Sequence, residues 1–514
     1  MSITSYPFIA FVLLLLLCYY LIFAKRGQWV CLLAASLLFY AFSGPKNLAF
    51  LLLTALTCYI GGRKLYTYEQ TYAVFRKDKS HSREERTAKK EQIQKKKRVV
   101  LTSVLVLNFG ILALVKCWGV AYHGLLLPLG ISFYTFQSVS YLIDCYNGKY
   151  PPERNFLKYL LFVSFFPQLI QGPIGRFDQL SSQLTAQRKF DLENFKRSLL
   201  LTSFGILKKY AIANILSGPI SVLLDDHAAE LPGSAVVFAI LMYSAQQYAD
   251  FSGGIDIVTG VAGMFGVQLA PNFRQPYFSV SLADFWRRWH ISLGAWMRDY
   301  VFYPFALLKP IRNLGKKISK KWGKHLGVVL PASIANILVF FLVGIWHGAE
   351  MHYVLWGLYN GIVIALSDIL SPVFHKWNEV LRINEKSFGM KVFRILRTFL
   401  IVNIGWYFDR VYDFQTCMSC FGKTVSAFHL GALPAILSEF LADSMDARKL
   451  FIVAAGLVIV FWVSLQRERG RNVYADLQTW PIVPRWCAYY SMILLIQFAC
   501  DYVNSSAAFM YAYF

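Results

Sequence analysis

Charged residues are scarce in this chain, and acids are scarcer than bases. Only 16% of the 514 residues are charged, with 29 Asp and Glu against 52 Lys and Arg. A soluble domain carries about 25% charged residues, so a water-soluble fold is excluded. Familiar catalytic signatures are missing as well: there is no Gly-x-Ser-x-Gly elbow, no Walker A loop and no Rossmann glycine fingerprint. The nine cysteines are scattered, and the one close pair, Cys417-Met-Ser-Cys420, has neither a second pair nor a neighbouring histidine to complete a zinc set. No tandem repeat or low-complexity linker divides the chain. The first apolar run has no basic region before it and no small-residue cleavage site after it, so it reads as a membrane helix rather than a removed leader.

Apolar sequence fills the space. Hydrophobic residues make up 56% of the chain and aromatics 17%, with a mean hydropathy of +0.43. Runs near 7–24, 99–118, 198–224, 328–346, 350–370, 393–411, 450–464 and 485–503 are long enough to span a bilayer, while 48–61 and 157–171 are short. At about 20 residues per span plus loops, roughly 11–14 transmembrane helices are expected. The fold class is an all-α polytopic membrane protein. Residues 1–514 read as one integral membrane domain, with its core at 99–370 and simpler helices over 390–514. Gly172-Pro173, Gly253-Gly254 and Gln275-Pro276 interrupt the core, as expected of helices broken around a cavity.

The formal net charge of +23 does not point to nucleic acid, because the excess sits in short stretches between apolar runs, above all 76–98 and 309–325. By the positive-inside rule both belong in the cytoplasm. The first is expected to be an exposed helix or a flexible loop. Such basic patches also speed encounter with an acidic partner.

Two histidines stand in Trp-rich apolar sequence, where an ionisable group is a functional candidate by default: His290 in Asp284-Phe-Trp-Arg-Arg-Trp-His290, and His347 in Gly344-Ile-Trp-His-Gly348. Ser281-Leu-Ala-Asp284 has the form of a capping box and predicts a helix start. On that helix Asp284 and Arg288 form an i,i+4 pair, and Trp286 and Arg287 are predicted to share the face of His290. The same residues also fit an interfacial belt in which Trp anchors and Arg snorkels. His347, flanked by Trp346 and Gly348, could act as a neutral base toward a hydroxyl, the glycine admitting a substrate to the backbone. On these residues alone it fits equally a hydrogen-bonded packing role. His347 and His352 are five apart and point to different helical faces, so no metal is expected. Several acids in apolar surroundings, Asp144, Asp250, Asp256, Asp368 and Asp409, would suit a transporter or flippase of an activated sugar or lipid.

A set of motifs in order along nearly the whole chain decides between these readings. They are Leu127-Pro-Leu-Gly-Ile-Ser-Phe-Tyr-Thr-Phe-Gln137, Gln171-Gly-Pro-Ile-Gly-Arg176, Tyr248-Ala-Asp-Phe-Ser-Gly-Gly254, Asn272-Phe-Arg-Gln-Pro-Tyr277, Asp284 through Asp299, Trp346-His-Gly348 and the aromatic ending Phe509–Phe514. Together they resemble the bacterial membrane-bound O-acyltransferase (MBOAT) family, of the alginate O-acetylase and teichoic-acid D-alanyltransferase type. The resemblance implies a ring of helices around a central channel in the bacterial cell membrane. It implies transfer of a D-alanyl or acetyl group from a cytoplasmic thioester to a hydroxyl of an envelope polymer. The donor would be a phosphopantetheine thioester on an acyl carrier protein, or acyl-CoA, with no bound cofactor. A membrane-anchored or extracellular esterase-like protein is a further expected partner. Matched motif by motif, His347 is the catalytic histidine and His290 its partner, with Asp284, Trp286, Arg287, Arg288 and Trp346 in support.

Overall fold

In the computed structural model, which describes residues 3–42, 44–121, 128–348, 350–502 and 509, helices account for 81% of the chain and no strand is formed among the described residues. Leu127 and residues 510–514 of the sequence motifs lie outside the described residues. The helices used below are α1 (Pro45–Lys77), α2 (Arg83–Ala121), α3 (Leu192–Leu207), α4 (Gly233–Met264), α5 (Leu282–Arg288), α6 (Ile291–Met297), α7 (Lys309–Trp322), α8 (Lys324–His347), α9 (Met351–Ile369), α10 (Phe388–Arg410) and α11 (Ala447–Glu468).

Among the described residues six helical stretches are long and apolar enough to cross a membrane, or eight if each of two bent pairs is one span. Length and composition thus count fewer crossings than the expected 11–14, because other apolar helices are short or broken. The segment 157–171 splits at Phe165 into Phe156–Ser164 and Phe166–Gln171. Conversely, the run 48–61 is not short at all, since it belongs to the 33-residue α1.

Both basic stretches are mostly helical, which is one of the two forms expected for 76–98. Charge alone does not break a helix, and Lys, Arg and Glu are good helix formers. The polar ends of α1 and α2 continue their apolar parts and meet at a short turn where Ser82 and Glu85 form a reciprocal capping box. Lys97 pairs with Glu69 across the hairpin at 2.8 Å. Likewise 309–325 is largely α7, which is packed on α8: a Cβ on Gly315 would lie 2.8 Å from the Gly327 carbonyl oxygen.

Packing groups the chain into two compact units, one of Met1–Thr202, Val258–Ala270 and Tyr511–Phe514, the other of Ser203–Ile257 and Pro271–Met510. The first has an aromatic core in which Phe166 meets Phe11 edge-on at 5.3 Å, with Phe8 and Phe39 around them. Both histidines and their five supporting residues lie in the second. There α8 and α9 pack backbone to backbone, as helices in lipid do where small residues meet. A Cβ on Gly344 would lie 2.4 Å from the Tyr353 carbonyl oxygen, and one on Gly357 would lie 2.4 Å from that of Phe340.

Candidate functional site

The α5 start forms as its sequence predicts. The Ser281 hydroxyl accepts from the Asp284 backbone N–H at 3.1 Å. Asp284 pairs with Arg288 at 3.2 Å, and Arg288 reaches on to Glu468 at 2.8 Å. Arg287 is exposed and pairs with Asp284 at 3.5 Å. These three residues thus form an ion-pair network with α11.

The predicted sharing of one helical face by Trp286, Arg287 and His290 is not realised. α5 ends at Arg288, Trp289 is extended, and His290 takes the left-handed conformation (φ 47°, ψ 52°) before α6 begins. A non-glycine residue there is held at a cost on the order of 1–3 kcal/mol and persists only when its surroundings impose it. Here the imposition is backbone pairing with a segment well upstream. The Arg274 N–H donates to the Arg288 carbonyl, and the Ile291 N–H donates to the Asn272 carbonyl, bracketing a bridge between Phe273 and Trp289.

The same upstream segment sets the histidine's tautomer. Asn272 Oδ1 accepts from the backbone N–H of Ser292 at 3.1 Å and from its hydroxyl at 2.8 Å. A backbone N–H can only donate, so this atom of the amide is the oxygen. The His290 Nδ1, 3.2 Å from the same atom, must therefore carry the proton. In the neutral ring the lone pair is then on Nε2. Asn272 lies in a quoted motif, yet nothing in its spacing from His290 signals the contact; helical periodicity cannot link residues joined by a two-residue bridge.

His290 is buried, with the Phe251 ring edge-on at 4.8 Å and the Trp346 ring at 6.3 Å. Trp346 in turn meets His347 at 4.8 Å, and Trp356 meets His347 at 5.1 Å. Trp286 stands perpendicular to Trp356 at 5.3 Å and donates its indole N–H to Asn360 at 3.0 Å. The two histidines and Trp286 are thus parts of one aromatic wall, joined through Trp346 and Trp356. Trp356, Tyr353 and Asn360 were missed in the sequence. They come from α9, and only the glycine-mediated closeness of α8 and α9 puts them here.

His347 ends α8 and is buried against the Tyr353 ring, near parallel at 5.8 Å. Gly348 is extended, and a Cβ there would come within 2.6 Å of the Tyr353 ring. The glycine therefore makes room for this tyrosine, where the sequence reading gave the space to a substrate. Overpacking of this kind costs roughly 1–3 kcal/mol, so Gly348→Ala should lower the unfolding midpoint of the purified protein. Adding Tyr353→Ala should return much of the loss. A double-mutant cycle with no coupling would contradict the contact.

His352 lies in the first turn of α9 and is held by the Phe408 carbonyl at 3.0 Å and Glu350 at 3.1 Å. Among the described residues no group of three His, Cys, Asp or Glu is placed to hold a metal. Asp250 and Asp256 are each ion-paired at 2.6 Å, with Lys209 and Lys208 respectively.

Residues 153–318 match the model of the membrane-bound O-acyltransferase family, a stretch that includes His290 and stops before His347. A probable alginate O-acetylase of Pseudomonas syringae pv. tomato is 33% identical over 68% of this chain and 62% of its own length. A peptidoglycan O-acetyltransferase of Helicobacter pylori is 28% identical over 75% of this chain and 74% of its own. For a teichoic acid D-alanyltransferase of Bacillus subtilis the figures are 28%, 55% and 69%. The chain spans about half to two thirds of the length of the alginate-type relatives it matches. With its apolar helices, its ordered motifs and these matches, the chain carries a membrane-bound O-acyltransferase family domain over residues 153–318.

Proposed function

We propose that this multi-pass membrane protein transfers an acetyl or D-alanyl group from a cytoplasmic thioester to a hydroxyl of an envelope polymer, such as teichoic acid or an exopolysaccharide, across the bacterial cell membrane. The observation that carries this reading is the joining of two buried histidines by one aromatic wall, with the tautomer of His290 fixed by Asn272. The attacking hydroxyl oxygen forms a bond to the thioester carbonyl carbon, the carbon–sulfur bond breaks, and the hydroxyl proton passes through His347 to the leaving thiolate. His290 Nε2, presenting a lone pair, accepts a hydrogen bond from a neighbouring hydroxyl of the acceptor and so orients the attacking one. A thioester is already activated, so alignment and a base supply most of what the reaction needs.

The length of α8 supports this direction of transfer. Its 24 residues place His347 about 35 Å along the axis from Lys324. With the basic α7 and the α1–α2 hairpin in the cytoplasm, His347 lies toward the outer side, where the polymer would arrive. The relatives named above carry acetyl and D-alanyl transfer in their names, which supports both as candidate acyl groups. To test the reading, the chain is expressed in a host lacking its own envelope acyltransferases, with an acyl carrier protein and its ligase or with an acetyl donor. Base-labile esters on the polymer should rise with one of the two donors; no rise with either would overturn it.

The donor is proposed to be a phosphopantetheine thioester on an acidic carrier protein, docking on α7. Replacing Lys316, Lys317, Lys320 and Lys321 by glutamine should weaken carrier binding and flatten its salt dependence, since exposed charges act through a field that salt screens over about 8–10 Å. Unchanged binding would leave these lysines as topology signals only.

A further inference from the structure

The second unit contains a cavity of about 190 Å³ between α4, α10 and α11, floored by the loop 275–278. Ile212, Leu241, Tyr277, Leu457 and Phe461 are among its walls. Two of its polar groups are already occupied. The Ser244 hydroxyl donates to Asn403 at 2.6 Å, and the Tyr277 hydroxyl donates to the Ser244 carbonyl at 2.7 Å. Such a cavity does not hold water well, whereas a purely apolar space of roughly 150 Å³ is large enough for a benzene-sized group. Hydrocarbon is the occupant its chemistry fits.

The mouth shows where that hydrocarbon comes from. Leu241, Leu457 and Phe461 line the cavity and are also exposed, Phe461 by 60%. They are continuous with exposed Val458, Leu396 and Leu400 on the same helices. In a membrane protein such a surface faces acyl chains.

Charge defines the other end. Arg467 follows the lining residue Ser464 by three positions on α11, and Arg397 donates to the Val280 carbonyl at 3.0 Å, two residues beyond the lining Phe278. Both are exposed, and among the described residues neither forms an ion pair. Of the nearby carboxylates, Asp284 and Glu468 are taken by Arg288 and Asp256 by Lys208. Two uncompensated guanidinium groups beside an apolar slot match a phosphate with a hydrocarbon tail.

We infer that this slot binds one anionic glycerophospholipid, an acyl chain in the cavity and its phosphate on Arg397 and Arg467. The site is separate from the His290–His347 wall and does not depend on the acyl-transfer reading.

The test uses the full chain purified in mild detergent, mixed with phosphatidylglycerol or phosphatidylethanolamine and examined by native mass spectrometry. One phosphatidylglycerol should be retained in preference to phosphatidylethanolamine. Ala245→Phe, which fills the slot, should abolish retention; should that variant aggregate, Leu457→Trp at the mouth serves instead. The double variant Arg397→Gln, Arg467→Gln should weaken phosphatidylglycerol binding about thirtyfold, since each basic residue near an anionic surface contributes on the order of 1 kcal/mol. A phosphatidylglycerol bearing a photoreactive acyl chain should label residues of α11 or α4 that line the slot. Equal retention of the two lipids, retention by a folded slot-filled variant, or labelling confined to other surfaces would each overturn the assignment.

Discussion

His347→Ala should lower polymer acylation by roughly 10²–10⁴-fold, the range by which a positioned acid–base group accelerates proton transfer, while the protein still inserts and folds. The side chain is buried, but its neighbours are rings rather than a tight aliphatic pack. An alanine there leaves Trp356 and Tyr353 anchored by α9 and removes the group proposed to carry the proton. The readout is ester content of the polymer per unit of membrane-inserted protein, followed with saturating donor so that kcat is what changes. His290→Ala should act differently. It removes a hydrogen-bond acceptor but leaves the left-handed backbone, which pairing with Asn272–Arg274 imposes on any residue there, so its loss should be smaller and should include a rise in KM for the acceptor. If His347→Ala acylates at the wild-type rate, the role assigned to this histidine is wrong.

Much of this site could be read from the chain, and the failures have a common cause. The Ser281 cap and the Asp284–Arg288 pair are local, set by spacings of three and four, and both form. The apolar run ending at Trp346 becomes a helix that closes on His347. What could not be read is whatever depends on distant backbone. The break at Trp289–His290 is imposed by Asn272–Arg274, so periodicity carried the helix through it and set Arg287 on the wrong face. Gly348 is a glycine because of Tyr353, which lies five residues on across a helix boundary. Charge was ambiguous in a different way: 76–98 reads as an exposed helix or a flexible loop and is mostly helix, and 309–325 interrupts the hydropathy although its residues favour helix.

Removing one carboxylate from the buried lysine pair should have the largest effect on stability. Lys208 and Lys209 are consecutive, both almost fully buried, and lie in a π-helical segment directly after α3. They reach two acids of α4, Asp256 and Asp250, where Gly205 and Gly253 bring the helices so close that a Cβ on Gly205 would lie 2.5 Å from the Gly253 carbonyl oxygen. Asp250→Ala would leave the Lys209 ammonium, 2% exposed, without its counter-charge, a change that costs about 3–5 kcal/mol in buried pairs. Asp250→Leu combined with Lys209→Met removes both charges at similar volume and should recover most of that loss, because desolvation offsets much of a buried pair's attraction. Thermal unfolding of the purified variants measures both. The same pair separates acyl transfer from the transport reading that the buried acids would suit. In a transporter built on these acids, a folded Asp250→Leu, Lys209→Met variant should abolish flux. In an acyltransferase it should keep polymer acylation within a few-fold of wild type, since Asp250 is turned to Lys209 while its neighbour Phe251 carries the contact to His290. Loss of acylation in a variant that unfolds normally would place this ion pair inside the reaction path instead.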